Sequence, residues 1–524
     1  MEPDGAWAPC QFQLANWTYV EETAAGFPVE YATIDMLAGT PGFQGYVPDE
    51  STGGQQHLLE YHDYYSAASQ HNGTSEISTI SNDSRARDVV EHVIEFNKAN
   101  DDMMKEKMHR YPASLRDIDE CYTRPRIVAI GPYHRYHGQE ELKQAEKVKH
   151  LAACHCVMES GYLLEDLYPK VVSAADDARH LYDEDVLVGL GDDDFRHMMF
   201  FDACFLVQYI RMMSASTSTE IDESLFNFLS PNRFDIFHDI TLLENQIPWQ
   251  LVEVVMGLNR VPLDKLSGLK HSLKDKFLLQ EKFLLPEKYD VEYKPPPHFL
   301  GLFRYYIVGK RTNKDVYKPT TKSISFSVSA IELAEIGITL KANTDDLVNM
   351  RLNKDMRCRC LLWFRSCGCN NALFPELSLA PLSLDCDRAS YLINMAALEQ
   401  CMFRRFSGAP DEDSAVCSYT RLLAMLVHRE EDVHELRARG ILQGGGGLTN
   451  KDVLSFFKNF QYMRPGSCYH LIMEQIQSYK ENSSMKTKLH RFCYNNKKTI
   501  AAVFSVIFSV GGIIGTIMSV KNSL

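Results

Sequence analysis

Residues 239–256 read DITLLENQIPWQLVEVVM, a stretch that holds a proline between two apolar runs. Pro248 has no backbone N–H to donate, which suits the first turn of a helix, and it favours an extended backbone at Ile247. The stretch therefore predicts two helices, over residues 234–243 and 248–256, with a break between them.

The polar residues at this break are Glu244, Asn245 and Gln246. The ends of two helices leave N–H and C=O groups without intrahelical partners, and a buried backbone group needs a partner. We therefore interpret the three side chains as structural groups that satisfy these helix ends. A ligand site made of the same side chains is the alternative interpretation.

Apolar residues at helical spacing continue on both sides of the break. Three aspartates at 192–194 suit the N-terminus of a helix, and residues 195–213 are apolar nearly all round, which predicts a buried helix. Further helices are predicted over residues 87–108, 138–160, 264–284, 388–406, 419–428, 430–439 and 449–460.

A short mixed region interrupts the helices. Residues 324–328 alternate apolar and polar side chains like a strand, and Ser329-x-x-Glu332 forms a capping box with Gly337 placed to end its helix. Two further strands are predicted, over residues 356–364 and 377–384. The predicted fold class is mainly α, a large helical domain with a minor β element, plus one C-terminal transmembrane helix.

The charge is unevenly distributed along the chain. The net charge is −14, yet residues 1–84 carry twelve Asp and Glu and no Lys or Arg, so the rest of the chain is near neutral. Residues 1–84 are rich in Gly, Ser and Asn, which predicts a disordered acidic extension. An acidic segment that folds on a partner is the alternative. This acidic extension argues against nucleic acid and against anionic lipid as its partner.

The end of the chain carries an uncharged run. Thr499–Val520 reads TIAAVFSVIFSVGGIIGTIMSV, which is long enough to cross a bilayer of roughly 30 Å as one helix. We therefore predict a domain over residues 85–496 and a single membrane span over 499–520. Gly511 and Gly515 form a G-x-x-x-G pair, so homo-oligomer contact through this helix is an open alternative to simple apolar filling.

The flanking charges predict which side of the membrane holds the body. Between Lys480 and Lys498 lie six basic residues and one acidic residue, and the positive-inside rule places such a flank in the cytosol. We expect a tail-anchored, single-pass protein with a cytosolic body, and we favour the plasma membrane. Four N-x-[ST] sequons, beginning at Asn16, Asn72, Asn82 and Asn482, point the opposite way.

Motifs for metals, cofactors and catalysis are weak. Cys358, Cys360, Cys367 and Cys369 have C-x-C spacing rather than the C-x₂₋₄-C of common zinc sites, so we expect free thiols and no metal, with zinc as the alternative. The sequence contains no H-E-x-x-H, no G-x-S-x-G and no Walker motif. We expect no cofactor and no enzymatic activity.

Several ordered motifs resemble one plant family, "domain of unknown function 247", also called UPF0481. The resemblance covers about residues 120–520. The motifs are RIVAIGPYH at 126–134, which includes Gly131, Pro132, Tyr133 and His134; Glu146-x-x-Lys149; MFFDACF at 199–205; LLENQIP at 242–248; SAIEL at 329–333 with Gly337; LEQ at 398–400; and Asp432-Val433. Two features depart from the family pattern, Ala203 in place of a usual glycine and the acidic extension.

The resemblance implies a plant-specific, largely helical protein without established enzymatic activity. Some grass members of the family are associated with self-incompatibility loci. The expected function is a recognition or signalling module that binds a protein partner of unknown identity. An enzyme of unrecognised type is the alternative.

Overall fold

The computed structural model describes residues 98–523 and residues 92, 95 and 96, apart from gaps at 101, 116–117, 136–139, 215–221, 260–295, 310–326, 344–345, 354–374, 404–409, 445–447 and 483. The chain divides into two units, Met1–Asp83 and Ser84–Leu524, and the described residues all belong to the second. The predicted extension over 1–84, the helix over 264–284 and the strand over 356–364 lie outside the described residues.

Helices carry most of the described chain. The first half comprises α1 (Glu140–Ser160), α2 (Leu164–Ala178), α3 (Glu184–Leu187), α4 (Asp192–Ser214), α5 (Glu223–Leu229), α6 (Arg233–Ile240), α7 (Trp249–Leu258), α8 (Phe299–Val308) and α9 (Ala330–Glu335). The second half comprises β1 (Thr339–Ala342), β2 (Arg351–Asn353), β3 (Glu376–Leu379), β4 (Leu382–Ser383), α10 (Cys386–Met402), α11 (Ala415–Leu426), α12 (Glu430–Ala438), β5 (Leu442–Gln443), α13 (Asn450–Lys458), α14 (Ser467–Asn482), α15 (Ser484–Asn495) and α16 (Lys497–Ser523).

The centre of the first half is α4, against which α1, α2 and α7 pack. Its side chains are buried in a nearly unbroken run that ends at Ile210, and its first turn carries the three aspartates. Acidic side chains in a first turn interact favourably with the positive end of the helix dipole. The predicted buried helix over 195–213 is confirmed.

An aromatic cluster joins the two halves of the chain. The ring of Phe237 in α6 meets Phe299 and Phe303 of α8 and Tyr391 of α10, edge to face, with centroids 6.1, 5.4 and 5.2 Å apart. Such pairs stabilise a structure by about 0.5–1.5 kcal/mol each beyond the burial of their area. The cluster belongs to a hydrophobic core that continues through α11 and α14.

The β structure is minor, as predicted. In the described residues a three-stranded sheet has the order β1-β3-β2, with β1 parallel and β2 antiparallel to β3, and β4 pairs with β5 in parallel. The predicted strand over 377–384 is two strands separated by Ala380 and Pro381. Of the predicted strand over 324–328, only its last two residues are described, and neither is in a strand.

The capping box before α9 is confirmed. The Ser329 hydroxyl accepts from the N–H of Glu332, and the Glu332 carboxylate accepts from the N–H of Ser329. Gly337 has a φ of 91°, and the N–H of Ile338 donates to the C=O of Leu333 at 2.9 Å. Glycine tolerates this left-handed turn, which ends the helix where the sequence predicts.

Two helix boundaries at the 239–256 stretch differ from the prediction. Helix α6 ends at Ile240 rather than at 243; the C=O groups of Asp239 and Ile240 accept from the side-chain amides of Asn245 and Gln246 instead of from N–H groups of a longer helix. Pro248 lies just before α7 rather than inside its first turn.

Helices α2 and α8 are absent from the sequence prediction. Helix α2 contains Pro169, which removes an internal hydrogen bond and obscures the helical pattern. Helix α8 reads FLGLFRYYIV and is buried at nearly every position, so it has no polar face that a periodicity could reveal.

The chain ends in a continuous helix, α16, which contains the predicted span over 499–520. Its side chains beyond residue 513 lie outside the described residues, as does the environment of Gly515. Within the part of the chain that the structure describes, no helix combines the length and the apolar character needed to cross a membrane. The structure therefore does not support the predicted transmembrane helix.

Candidate functional site

Residues 126–131 run through the protein without regular secondary structure, and their backbone finds its partners in side chains. The carboxylate of Asp239, at the end of α6, accepts from three successive N–H groups, those of Arg126, Ile127 and Val128, at 2.7–2.8 Å. Asp239 itself is fully buried. One carboxylate therefore holds half of this segment.

Asn245 supplies the next partners of the same segment. Its Oδ1 accepts from the N–H of Ile130 at 2.6 Å, and its Nδ2 donates to the C=O of Val128 at 3.0 Å. The second hydrogen of Nδ2 goes to the C=O of Asp239 at 2.9 Å. Asn245 thus links the end of α6 to the 126–131 segment and uses both ends of its amide.

Gln246 satisfies helix ends on the other side of the break. Its Nε2 donates to the C=O groups of Ile240 and Leu242, both at 2.7 Å, and its Oε1 accepts from the N–H of Leu300 in the first turn of α8 at 3.0 Å. The amide therefore contacts helix ends, where the structural interpretation expects it, and that interpretation stays a prediction.

Position 131 needs glycine for two reasons, its backbone conformation and the close approach of another backbone atom. Its φ is +73°, and a Cβ at this position would lie 2.5 Å from the backbone oxygen of Gln246. Its N–H donates to the carboxylate of Asp202 in α4 at 2.8 Å. The same Gln246 oxygen accepts from the Tyr182 hydroxyl at 3.1 Å. Three sequence motifs therefore meet within a few ångströms.

A buried ion pair completes this meeting point. Lys149 Nζ in α1 lies 2.7 Å from Asp202 Oδ1 and 2.5 Å from Glu146 Oε1, and it donates to the C=O of Ala129 at 2.6 Å. Burial alone would lower the pKa of Lys149, but the carboxylates of Asp202 and Glu146 outweigh burial and raise that pKa. The lysine therefore stays charged in the interior.

Glu244 faces the opposite side of the break. Its Oε1 accepts from the N–H of Tyr111 at 2.8 Å, and the Tyr111 hydroxyl donates to Asn394 Oδ1 in α10. The same Oδ1 accepts from the N–H of Leu243 at 2.7 Å. Glu244 and Asn394 thus join the break to α10 through one tyrosine.

The remaining motif residues lie beside this network. Pro248 is buried and precedes α7, whose first N–H, that of Trp249, donates to the C=O of Pro297 at 2.8 Å. The Tyr133 hydroxyl donates to the C=O of Met108 at 2.8 Å. Pro132 and His134 are buried on either side of Tyr133.

A second buried ion pair holds the other half of the protein. Glu399 in α10 binds Arg304 of α8 through Nε at 2.8 Å and Nη2 at 2.6 Å, and it accepts from the N–H groups of Val416 and Cys417 at the start of α11. Burial raises the pKa of the Glu399 carboxyl, although Arg304 and the two N–H groups act against burial. The 398–400 motif therefore anchors three helices.

The histidine that caps α8 is also buried. His298 Nδ1 accepts from the N–H of Gly301 at 3.2 Å, and its Nε2 has no hydrogen-bond partner among the described residues. Burial lowers the pKa of His298 to about 3, and the nearby His109, whose own pKa is lowered by burial to about 4, adds to the effect. Both imidazoles are therefore neutral in the folded protein near pH 7.

The polar side chains described above contact backbone groups or an opposite charge, which is the usual fate of buried polar groups. Sequence reasoning assigned no role to Asp202, Asp239 and Asn394. Asp202 is the one charged residue in the apolar run 198–207 of α4, and that pattern is the signal that could have identified it. Asp239 and Asn394 have polar neighbours in their helices and give no such signal.

Neither the candidate metal ligands nor the two glycines of the C-terminal helix form a site among the described residues. Across the described ranges, no three His, Cys, Asp or Glu side chains cluster so that they could hold a metal ion. The four C-x-C cysteines, Cys358 to Cys369, lie outside the described residues, so their prediction stays a prediction. Gly511 has open space around it, and Gly515 lies outside the described part.

A group of exposed apolar side chains lies where α1 meets α2. Met158, Tyr162, Leu163 and Leu164 follow one another where α1 ends and α2 begins, and they are between 42% and 70% exposed. We name these four residues the α1–α2 tip. Exposed acidic residues at 165 and 166 border the tip. Contiguous exposed apolar side chains mark interaction sites more often than isolated ones do.

Comparison with known proteins places these features in a family. The pattern of the family described as "Plant protein of unknown function", DUF247, matches residues 108–510. The chain belongs to the DUF247 family. The match spans every segment of the buried network, from Tyr111 to Asn394, and the resemblance inferred from the sequence motifs is confirmed.

One curated relative shows how far the sequences have diverged. The chain is similar to a UPF0481 protein of Arabidopsis thaliana, with 25% identity over 374 residues, which cover 67% of this chain and 71% of the relative. No solved structure matches the chain. The DUF247 assignment therefore supplies a plant family and leaves the biochemical function open.

Gly131→Ala tests the close approach at the centre of the network. A left-handed backbone costs an L-residue about 1–2 kcal/mol, and the clash with the Gln246 oxygen adds to that cost. We expect a loss of at least about 3 kcal/mol in unfolding free energy, measured by denaturant titration. Gly161→Ala is the control, because its φ is +70° and nothing lies within 4 Å of its Cβ. Equal losses in the two variants would show that the backbone approach is unimportant.

Asn245→Leu tests the amide bridge. The substitution removes the partner of the Ile130 N–H and of the Val128 C=O, and each stranded buried group costs about 1–3 kcal/mol. The C=O of Asp239 keeps the N–H of Leu242 as a partner. Pro248→Ala should cost less, because the proline contributes no side-chain hydrogen bond there. Chemical denaturation of both variants checks the order, and a larger loss for Pro248→Ala would contradict the structural interpretation.

His298→Asn tests the buried imidazole through pH. The folded pKa of about 3 lies below the unfolded value near 6.5, so the unfolded state binds the proton more readily. The contribution of His298 to the free energy of unfolding is therefore constant above about pH 6.5. It falls as the pH drops toward the folded pKa, and the loss reaches about 3 kcal/mol near pH 4.5. Asparagine keeps a capping acceptor and does not titrate, so the variant's melting temperature should depend less on pH. The exposed His434→Asn should retain the wild-type slope; equal slopes in wild type and His298→Asn would contradict the assignment.

Proposed function

We propose that this DUF247 protein is a non-enzymatic binding module that is held at a membrane by α16 and presents the α1–α2 tip to a protein partner. The observation that carries the binding role is the exposure of three consecutive large apolar side chains at 162–164 and of Met158 one helical turn earlier. Burial of a fully exposed side chain of this size stabilises a complex by about 1.5–3 kcal/mol. The four side chains of the tip can therefore form the apolar core of a protein–protein interface.

The chemistry of the interior favours binding over catalysis. An active site needs polar groups with perturbed pKa values that converge where a substrate can reach them. In the described chain, Lys149, Asp202 and Glu399 have perturbed pKa values, yet each is buried and engaged with backbone groups or a counter-charge. An enzyme of unrecognised type is the second candidate, and these groups give it no support.

The end of the chain favours a membrane location. The uncharged run over 499–520 is helical, and its described apolar side chains, among them Val506, Ile507 and Phe508, are exposed to solvent. Exposed apolar residues along successive turns need a covering, and a bilayer provides one. The basic flank before α16 favours a cytosolic body. The acidic balance of the chain argues against nucleic acid as the partner.

Leu163→Asp combined with Leu164→Asp tests the tip. The two carboxylates should abolish association, because a charge buried in an apolar interface lacks a partner. Proximity labelling in plant tissue should show neighbours of the wild type that disappear with this variant. The control is Val188→Asp, which places the charge at an exposed apolar residue far along the chain from the tip. If the double variant at the tip, the Val188→Asp control and the wild type all label the same proteins, the tip is not the binding surface.

Removal of residues 499–524 tests the anchor and the topology. The truncated chain should move from the membrane pellet to the soluble fraction after alkaline wash, because the removed helix carries the exposed apolar run.

In sealed microsomes, added protease should digest the body of the full chain. A truncated chain that still resists alkaline extraction would refute the anchor, and glycan on Asn482 would refute the cytosolic body.

A further inference from the structure

Helix α15, which directly precedes α16, is fixed to the body on one side only. His490 Nδ1 lies 3.0 Å from the C=O of Glu335 at the end of α9, and Arg491 Nε lies 3.1 Å from the Glu335 carboxylate. The rings of His490 and Tyr494, one turn apart, stack with centroids 6.3 Å apart, and both residues are half-buried. These contacts orient the helix.

The opposite face of α15 is exposed and mixes cationic and apolar groups. Lys488, Phe492 and Asn495 fall within an arc of about 60° on a helix of 3.6 residues per turn, and all three are exposed. Phe492 is 61% exposed. Arg491 lies at the edge of this arc and pairs with Glu335, and His490 and Tyr494 lie on the far side of the helical wheel. We name Lys488, Phe492 and Asn495 the α15 outer face.

The position of this face identifies what covers it. Helix α15 ends at Asn495 and α16 begins at Lys497, so only one residue separates the α15 outer face from the apolar helix. A bilayer that takes up α16 therefore has its headgroup layer beside α15. Amphipathic helices that bind this layer place aromatic side chains in it and cationic side chains at the phosphates.

The charge of the segment selects the class of lipid. Residues 480–498 carry six Lys and Arg and one acidic residue, although the whole chain is acidic. A basic residue next to an anionic leaflet gains about 1 kcal/mol, which corresponds to about a fivefold change in affinity. Neutral lipid does not attract these positive charges. A protein partner would not explain why the α15 outer face lies next to α16.

We propose that the α15 outer face binds the anionic headgroups of the bilayer that holds α16, with Phe492 inserted between them and Lys488 paired to their charge. This inference rests on the proposed membrane location and adds the lipid class that the protein recognises. Contact with the headgroups holds α15 flat on the membrane. Because α15 is also fixed to α9, this contact sets the orientation of the body.

The test uses the full chain with vesicles of phosphatidylcholine, alone or mixed with phosphatidylserine, in which the acyl chains are brominated to quench tryptophan. Phe492→Trp places an indole on the α15 outer face, and the wild type gives the background from its four native tryptophans. The matched control is Tyr494→Trp, which places the indole two residues further along α15, on the face that meets the body. Flotation of the vesicles reports anchoring separately.

We expect strong quenching of Phe492→Trp in vesicles with phosphatidylserine, weak quenching in neutral vesicles, and no quenching of Tyr494→Trp beyond the background. Adding Lys488→Gln and Lys498→Gln should weaken the equilibrium constant for headgroup contact about fivefold per charge, so that quenching at a fixed phosphatidylserine content falls. Lys451→Gln with Lys458→Gln removes the same charge from exposed positions of α13 and should change nothing.

Two different failures are distinguishable. A chain that floats with both kinds of vesicle, while Phe492→Trp shows no quenching or equal quenching in both, retains its anchor and overturns the lipid inference. A chain that floats with neither kind of vesicle overturns the anchor and the lipid inference together.

Discussion

The structure depends on one constraint, that the buried backbone of residues 126–131 must be hydrogen bonded although no strand lies beside it. An unpaired N–H in the interior costs free energy comparable to a lost hydrogen bond. Asp239, Asn245 and Asp202 supply the partners from three separate places in the chain. Because Asn245 also contacts the end of α6 and Asp202 also pairs with Lys149, a change at either position disturbs several elements together.

The two buried ion pairs extend this constraint to the outer helices. Lys149 with Asp202 joins α1 to α4, and Arg304 with Glu399 joins α8 to α10 and to the start of α11. Removing water from such charges is costly, so a buried pair contributes less to net stability than its short distances suggest. Loss of one partner is nevertheless severe, because the remaining charge has no compensation. The pairs therefore specify which helices meet, while the hydrophobic core supplies most of the stabilisation.

The residues that carry the family motifs and the residues that face outward are separate sets. The motifs converge in the interior, where their polar groups are used by the backbone. The exposed apolar groups lie at the α1–α2 tip and along α15 and α16. A protein built in this way can vary its exposed surfaces without disturbing the network that sets its fold. Only 25% identity with the Arabidopsis relative is consistent with such a division.

The sequence by itself determined the features that depend on neighbours in the chain. Its periodicity gave the buried helix α4, the capping box at Ser329 and the left-handed stop at Gly337, because helix starts and stops are decided within a few residues. It also placed Glu244, Asn245 and Gln246 at a break between two helices and assigned them a structural role. The end of α6 at Ile240 and the helix α8 escaped it, since a side-chain hydrogen bond to a helix end and a helix buried at nearly every position leave no periodic signal.

Tertiary structure alone decided which distant residues complete the network. Asp239 and Val128 are 111 positions apart, and Leu243 and Asn394 are 151 apart. No local pattern relates residues at such separations, because their meeting depends on how the helices pack. Gly131 is the clearest case: only the tertiary structure places the backbone oxygen of Gln246 within 2.5 Å of where a Cβ would lie, which explains why glycine is needed there.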